Sequence, residues 1–163
     1  MDHPLPRTRI RTATAEDAET LFRFVAGLVD DHIPGHPPWT SAEQLRADGF
    51  GPDPLYEAMI AEVDGRPAGY ISFFRGYAGW RGRPMGLVHA VYVEPWARGL
   101  NIGRRLMAAV ARIARERGWA RIELFVEEGR PAIAFYEAIG MVDLRHRHYR
   151  LDGDALDQLA KEA

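Results

Sequence analysis

The chain has 163 residues, enough for one hydrophobic core and typical of one domain. Hydrophobic residues make up 47% and charged residues 27%, the balance of a globular chain; a net charge of -2 gives no electrostatic case for nucleic acid or an acidic membrane surface. There is no cysteine, which excludes a disulfide scaffold, a thiolate nucleophile and Cys-ligated zinc. Met1 to Arg7 holds no apolar signal-type run, and no stretch is long enough to span a bilayer. The expectation is a single domain over 1–163, cytoplasmic, with no nucleic-acid or membrane partner.

Taken in order, Thr8 to Thr12 reads as a short strand, and Thr14-Ala15-Glu16-Asp17 as a capping box. It opens a helix whose apolar residues are Leu21, Phe22, Val25, Leu28 and Val29. Pro34, Pro37 and Pro38 impose a loop, and Ser41-Ala42-Glu43-Gln44 caps a second helix ending at Asp48-Gly49. Tyr56 to Val63 and Ala68 to Phe74 read as strands joined by the hairpin signal Asp64-Gly65. Gly76 to Arg83 reads as a mobile connection, and Leu87 to Val93 as a strand. A helix from about Ile102 to Arg117 has Leu106, Val110, Ile113 and Ala114 on its core face, with Gly118 as its stop. Ala120 to Val126 reads as a strand, Pro131 as the first residue of a helix ending at Gly140, Met141 to Leu151 as the last strand region, and Asp154 to Glu162 as a terminal helix. This mixture predicts an α/β or α+β layered fold.

The informative stretch is V-Y-V-E-P-W-A-R-G-L-N-I-G-R-R, Val91 to Arg105. It reads as strand, turn, helix. Backbone N–H groups of Gly99, Leu100, Asn101, Ile102, Gly103 and Arg104 lie at the helix start, where donors lack helical partners and the dipole is positive. Such a turn binds phosphate, and Arg98, Arg104 and Arg105 add charge. A Walker A loop is excluded, because Lys161 is the only lysine, and G-x-G-x-x-G is absent.

The stretch resembles the R-x-x-G-x-G/A pyrophosphate loop of the GNAT superfamily of N-acetyltransferases, which binds acetyl-CoA. Arg98 matches the first position and Gly103 the last; Asn101 stands where a glycine is usual, and asparagine is among the residues that best tolerate left-handed backbone. I-R-T-A-T-A-E-D-A near the start, A-D-G-F-G-P-D-P-L-Y before the hairpin and P-A-I-A-F-Y-E-A-I-G-M extend the resemblance, toward the diamine and thialysine acetyltransferase branch. The resemblance implies a mixed, mainly antiparallel sheet of about six to seven strands flanked by four to five helices. It implies acetyl-CoA as donor, a small-molecule amine as acceptor and a homodimer; no metal is implied.

Transfer to an amine needs a base, an oxyanion donor and an acid, because an alkylamine of pKa ~10 is protonated at neutral pH. By the resemblance Tyr136 is the acid near the cofactor sulfur; on residues alone Phe135 and Tyr136 also read as core aromatics. Gly129 stands where the family often has an asparagine for the pantetheine arm. His89 occupies the position of the branch's glutamate, and Ala90 that of its aspartate, so the acidic pair that attracts polyamines is gone. His89 reads either as the proton acceptor or as a core histidine bonded within the sheet. Val91 and Val93, assigned the same side-chain parity as His89, are expected to offer backbone groups to the pantetheine, with the Val91 N–H as oxyanion donor. His32 and His36 flank Pro34 and cannot align on a helix as metal ligands. The expectation is direct acetyl transfer to a small primary amine; the rivals are a peptide or protein amine acetyltransferase and a non-catalytic acyl-CoA sensor.

Overall fold

The computed structural model describes residues 6–162, so the reading of the first five residues lies outside them. The chain divides into two compact units, Met1–Phe125 and Val126–Ala163. The first holds β1 (Thr8–Thr12), α1 (Ala18–His32), α2 (Ala42–Phe50), β2 (Glu57–Val63), β3 (Arg66–Ala78), β4 (Arg83–Val93), α3 (Ile102–Glu116) and β5 (Ile122–Leu124). Its sheet runs in the order β1-β2-β3-β4-β5. The first three pairings are antiparallel, and β4 with β5 is parallel.

Local signals act where the sequence places them. The Asp17 carboxylate accepts the Thr14 N–H at 2.8 Å and two hydrogen bonds from Arg11, each 2.7 Å, while Arg11 also reaches Glu62 at 2.7 Å. The start of α1 is thus tied to β1 and β2, and Arg11 holds the Asp17 carboxyl below its ordinary range. Ser41 Oγ caps α2 through Gln44 N–H. Asp64 and Gly65 both take positive φ, as a type I′ hairpin demands.

Two layers cover the sheet. On one face Phe24 of α1 stacks on Tyr70 at 5.6 Å and lies 6.0 Å from Tyr92, in a cluster with Leu21, Ala58, Ile60 and Ala90. By strand alternation Met59 and Ile71 point to the opposite face, against which α3 packs. Ile102, Leu106 and Val110 of α3 are essentially sealed from solvent, each worth roughly 1.5–3 kcal/mol of apolar burial. The second unit holds α4 (Ala132–Ala138) and α5 (Gly153–Ala160).

Three expectations are corrected. Gly76 to Arg83 is not a loose connection: β3 and β4 stay paired out to Ala78 and Arg83, closed by a 3-10 turn at Gly79–Arg81 and by Gly82 in left-handed conformation. Glycine weakens a strand but does not remove its ladder hydrogen bonds. The strand expected at Ala120 to Val126 shrinks to Ile122–Leu124. Met141 to Leu151 forms no strand; Arg145 takes φ 52 and gives its N–H to Asp143 Oδ1 at 2.7 Å, which breaks the extended run. Among the described residues there are therefore five strands, not six to seven, with five α-helices.

Candidate active site

The site is built on β4. Ser72 of β3 pairs with Ala90, yet the next residue, Phe73, pairs with Val88, so His89 is the extra residue of a β-bulge. Cross-strand partners share a face; Val88 and Ala90, two apart, therefore lie on opposite faces. The bulge leaves His89 without a cross-strand partner, so simple alternation does not relate its face to that of Val91 and Val93. His89 is exposed, unlike the buried Val88 and Ala90 beside it. It is not a core histidine, and no hydrogen bond or ion pair holds its ring among the described residues.

The same place marks the end of the β4–β5 pairing. The parallel ladder runs only through Gly86, Leu87 and Val88 against Ile122, Glu123 and Leu124. From His89 to Val93, β4 has β3 on one side and, among the described residues, no strand on the other. Val91 and Val93 lie on this one-sided segment, half-buried. On the β3 side the backbones come very close: a Cβ on Gly69 would sit 2.5 Å from Tyr92 O, so only glycine fits.

After Val93 the chain turns. Glu94 N–H bonds Ala68 O at 2.9 Å, and the Arg66 guanidinium stacks 4.1 Å over Trp96. A 3-10 turn, Pro95–Ala97, leads into α3. Gly99 takes φ 84 and Asn101 φ 59, ψ 19, so the asparagine adopts the left-handed conformation that glycine usually supplies. The first helical hydrogen bond is Arg105 N–H to Asn101 O, 3.1 Å. The N–H groups of Gly99, Asn101, Ile102, Gly103 and Arg104 have no acceptor among the described residues. Leu100 is the exception among the expected donors, because its N–H turns back to Ala97 O at 3.3 Å. These free donors lie at the positive end of a 15-residue helix, an arrangement that favours an anion.

Arg98 does more than add charge. Its Nε donates to Val93 O at 3.0 Å, its Nη2 donates to Asp31 Oδ2 at 2.6 Å, and its guanidinium lies 5.9 Å from the Tyr92 ring centre. It locks the turn to the end of α1. Arg104 is exposed beside the open donors, whereas Arg105 is spent on Thr8 O.

Tyr136 lies on α4 in the second unit, half-buried, with its ring 5.2 Å from that of Phe135. Burial raises its phenol above the ordinary value, which keeps the proton on oxygen at neutral pH. Gly129 takes φ 80, which strains any side chain there. No cluster of metal-ligating side chains occurs among the described residues.

The geometry has relatives. The acetyltransferase (GNAT) family model matches residues 21–141. The chain belongs to the GNAT acetyltransferase family. This GNAT enzyme is 31% identical to thialysine N-epsilon-acetyltransferase of Mus musculus, across 94% of this chain and 97% of that one. A mycothiol acetyltransferase of Thermomonospora curvata is 34% identical across 85% of this chain and 48% of its own length. Among solved structures, an integron cassette protein of V. cholerae shares the fold at TM-score 0.81 and 22% identity, covering 94% of this chain and 98% of that one.

Sequence reasoning missed three contributors to this GNAT site. Asp31, 67 residues from its partner Arg98, has no local signal. Gly69 could be flagged only as an isolated glycine in a strand pattern, the usual mark of a close backbone approach. The bulge at His89 leaves no trace in β4 itself, because it exists only in the register with β3.

Proposed function

We propose that this acetyltransferase moves the acetyl group of acetyl-CoA directly onto the primary amine of a small molecule, without an acyl-enzyme. The observation that carries the reading is His89, exposed on a bulge where β4 loses its β5 neighbour, on the strand that leads into the open end of α3. Acetyl-CoA supplies an acyl thioester already activated toward amines. The N–H groups of Gly99, Asn101, Ile102, Gly103 and Arg104 hold its pyrophosphate, Arg98 and Leu100 shape that turn, and backbone groups of Val91 and Val93 take the pantetheine arm. His89 accepts the ammonium proton, directly or through water, and Tyr136 returns a proton to the departing thiolate.

The absence of carboxylates at His89-Ala90 favours small monoamines, amino-acid-like amines or arylalkylamines over polyamines. A relative that acts on thialysine supports an amino-acid-like acceptor. The family match runs across both compact units and supports one acetyltransferase domain over 1–163. A cytoplasmic homodimer without metal, nucleic acid or membrane completes the reading.

Incubation with acetyl-CoA and a panel of amines, followed by free-thiol release, tests it. Small monoamines should release thiol fastest. Spermidine as best substrate would refute the acceptor class, turnover of peptide amines alone would select the peptide reading, and silence throughout would refute both. His89→Gln tests the base. The variant should lower kcat/KM while CoA affinity and melting temperature stay unchanged. An unchanged kcat/KM in the variant would make His89 structural.

A further inference from the structure

Away from the turn that opens α3, a depression of about 650 Å³ is lined by Arg81, Arg83, Arg115, Gly118, Trp119 and Ala120. Arg81 and Arg83 flank the turn between β3 and β4, and Arg115 sits in the last turn of α3. The lining contains no carboxylate. Neighbouring arginines show what a structural role looks like here: Arg117 is bound through both Nη atoms to Glu57, and Arg121 is paired with Glu123. The guanidinium groups of Arg81, Arg83 and Arg115 have no ion pair or hydrogen bond among the described residues. The chain as a whole carries -2, so this is a local surplus and not a general basic background.

Like charges around one concavity repel, and a bound anion reverses the sign of that energy. Guanidinium forks match phosphate oxygens, and the volume lies in the range of small-molecule sites. At the C-terminus of α3 two carbonyls turn back onto the chain, Trp119 N–H bonding Ala114 O at 2.8 Å and Gly118 N–H bonding Arg115 O at 3.3 Å, so these two are not open acceptors. The groove is also separate from the cofactor turn. The two lie at opposite ends of a 15-residue helix, about 22 Å apart at 1.5 Å per residue.

We infer that this groove is a second anion site, taking a small molecule with two or more phosphoryl groups. The inference does not depend on the catalytic reading. Its chemistry is common to free polyphosphates and to nucleotides, which separate probes distinguish.

Calorimetric titration with tripolyphosphate tests it on the wild-type protein, on Arg83→Gln/Arg115→Gln and on Gly103→Val at the cofactor turn. Affinity should fall by about tenfold or more in the arginine variant and stay within about twofold in Gly103→Val. The single Arg81→Gln variant, checked for an unchanged melting temperature, should show a smaller loss in the same direction. ADP bound more tightly than pyrophosphate would mark a nucleotide as occupant, and equal binding a free polyphosphate. No binding at millimolar probe, equal binding in the arginine variant, or loss confined to Gly103→Val would each overturn the inference.

Discussion

The two ends of α3 differ in a way that separates function from stability. At its C-terminus the chain closes on itself: Arg117, Gly118 and Trp119 give their N–H groups to Ile113, Arg115 and Ala114. Gly118 sits at φ 68 to allow it, in a Schellman arrangement. At its N-terminus Asn101 also bends left-handed, yet the N–H groups of Ile102, Gly103 and Arg104 are left without acceptors. One left-handed residue completes a hydrogen-bond set, and the other exposes one. The helix turns its C-terminal end back on itself and leaves its N-terminal end open, and that open end is where the proposed function puts the pyrophosphate.

The largest expected effect lies at neither end. If binding belongs to the open end of α3 and chemistry elsewhere, Tyr136→Phe should lower kcat on the order of 10²–10⁴-fold while CoA affinity hardly changes. A matching loss of CoA affinity would merge the two roles. Next comes the contrast between the ends. Gly103→Val should weaken CoA on the order of tenfold by crowding that open end, at little cost to stability. Gly118→Ala should do the reverse and lower stability by about 1 kcal/mol, because alanine is disfavoured at positive φ, with CoA affinity intact. Thermal melts and CoA titrations of both variants check the pair; equal loss of CoA affinity in both would erase the distinction.

Much of this contrast was legible in the sequence. Apolar periodicity marked α3 and its core face, Gly118 marked its stop, and Arg98, Asn101 and Gly103 marked the turn that opens it. Asn101 was legible even as a departure, since asparagine tolerates the conformation it adopts. What stayed hidden depends on partners far away in sequence. The bulge at His89 arises from the register of Ser72 and Phe73. Arg98 needs Asp31 to show that it anchors as well as attracts. The β3–β4 ribbon was misread because its glycines signal looseness locally, whereas the ladder between Arg75 and Gly86 keeps them ordered. The alternating segment Met141 to Leu151 misled in the opposite sense. Period-two alternation describes a strand only if an edge receives it, and here Val142 and Tyr149 stand 79% and 80% exposed.

Backbone amide NMR during a CoA titration tests most directly that the open end of α3 is the donor site. The amides of Gly99, Asn101, Ile102, Gly103 and Arg104 should shift together and saturably, while those of Gly118 and Trp119, already hydrogen-bonded within the fold, should stay in place. Saturable shifts at Gly118 and Trp119 with none from Gly99 to Arg104 would contradict it.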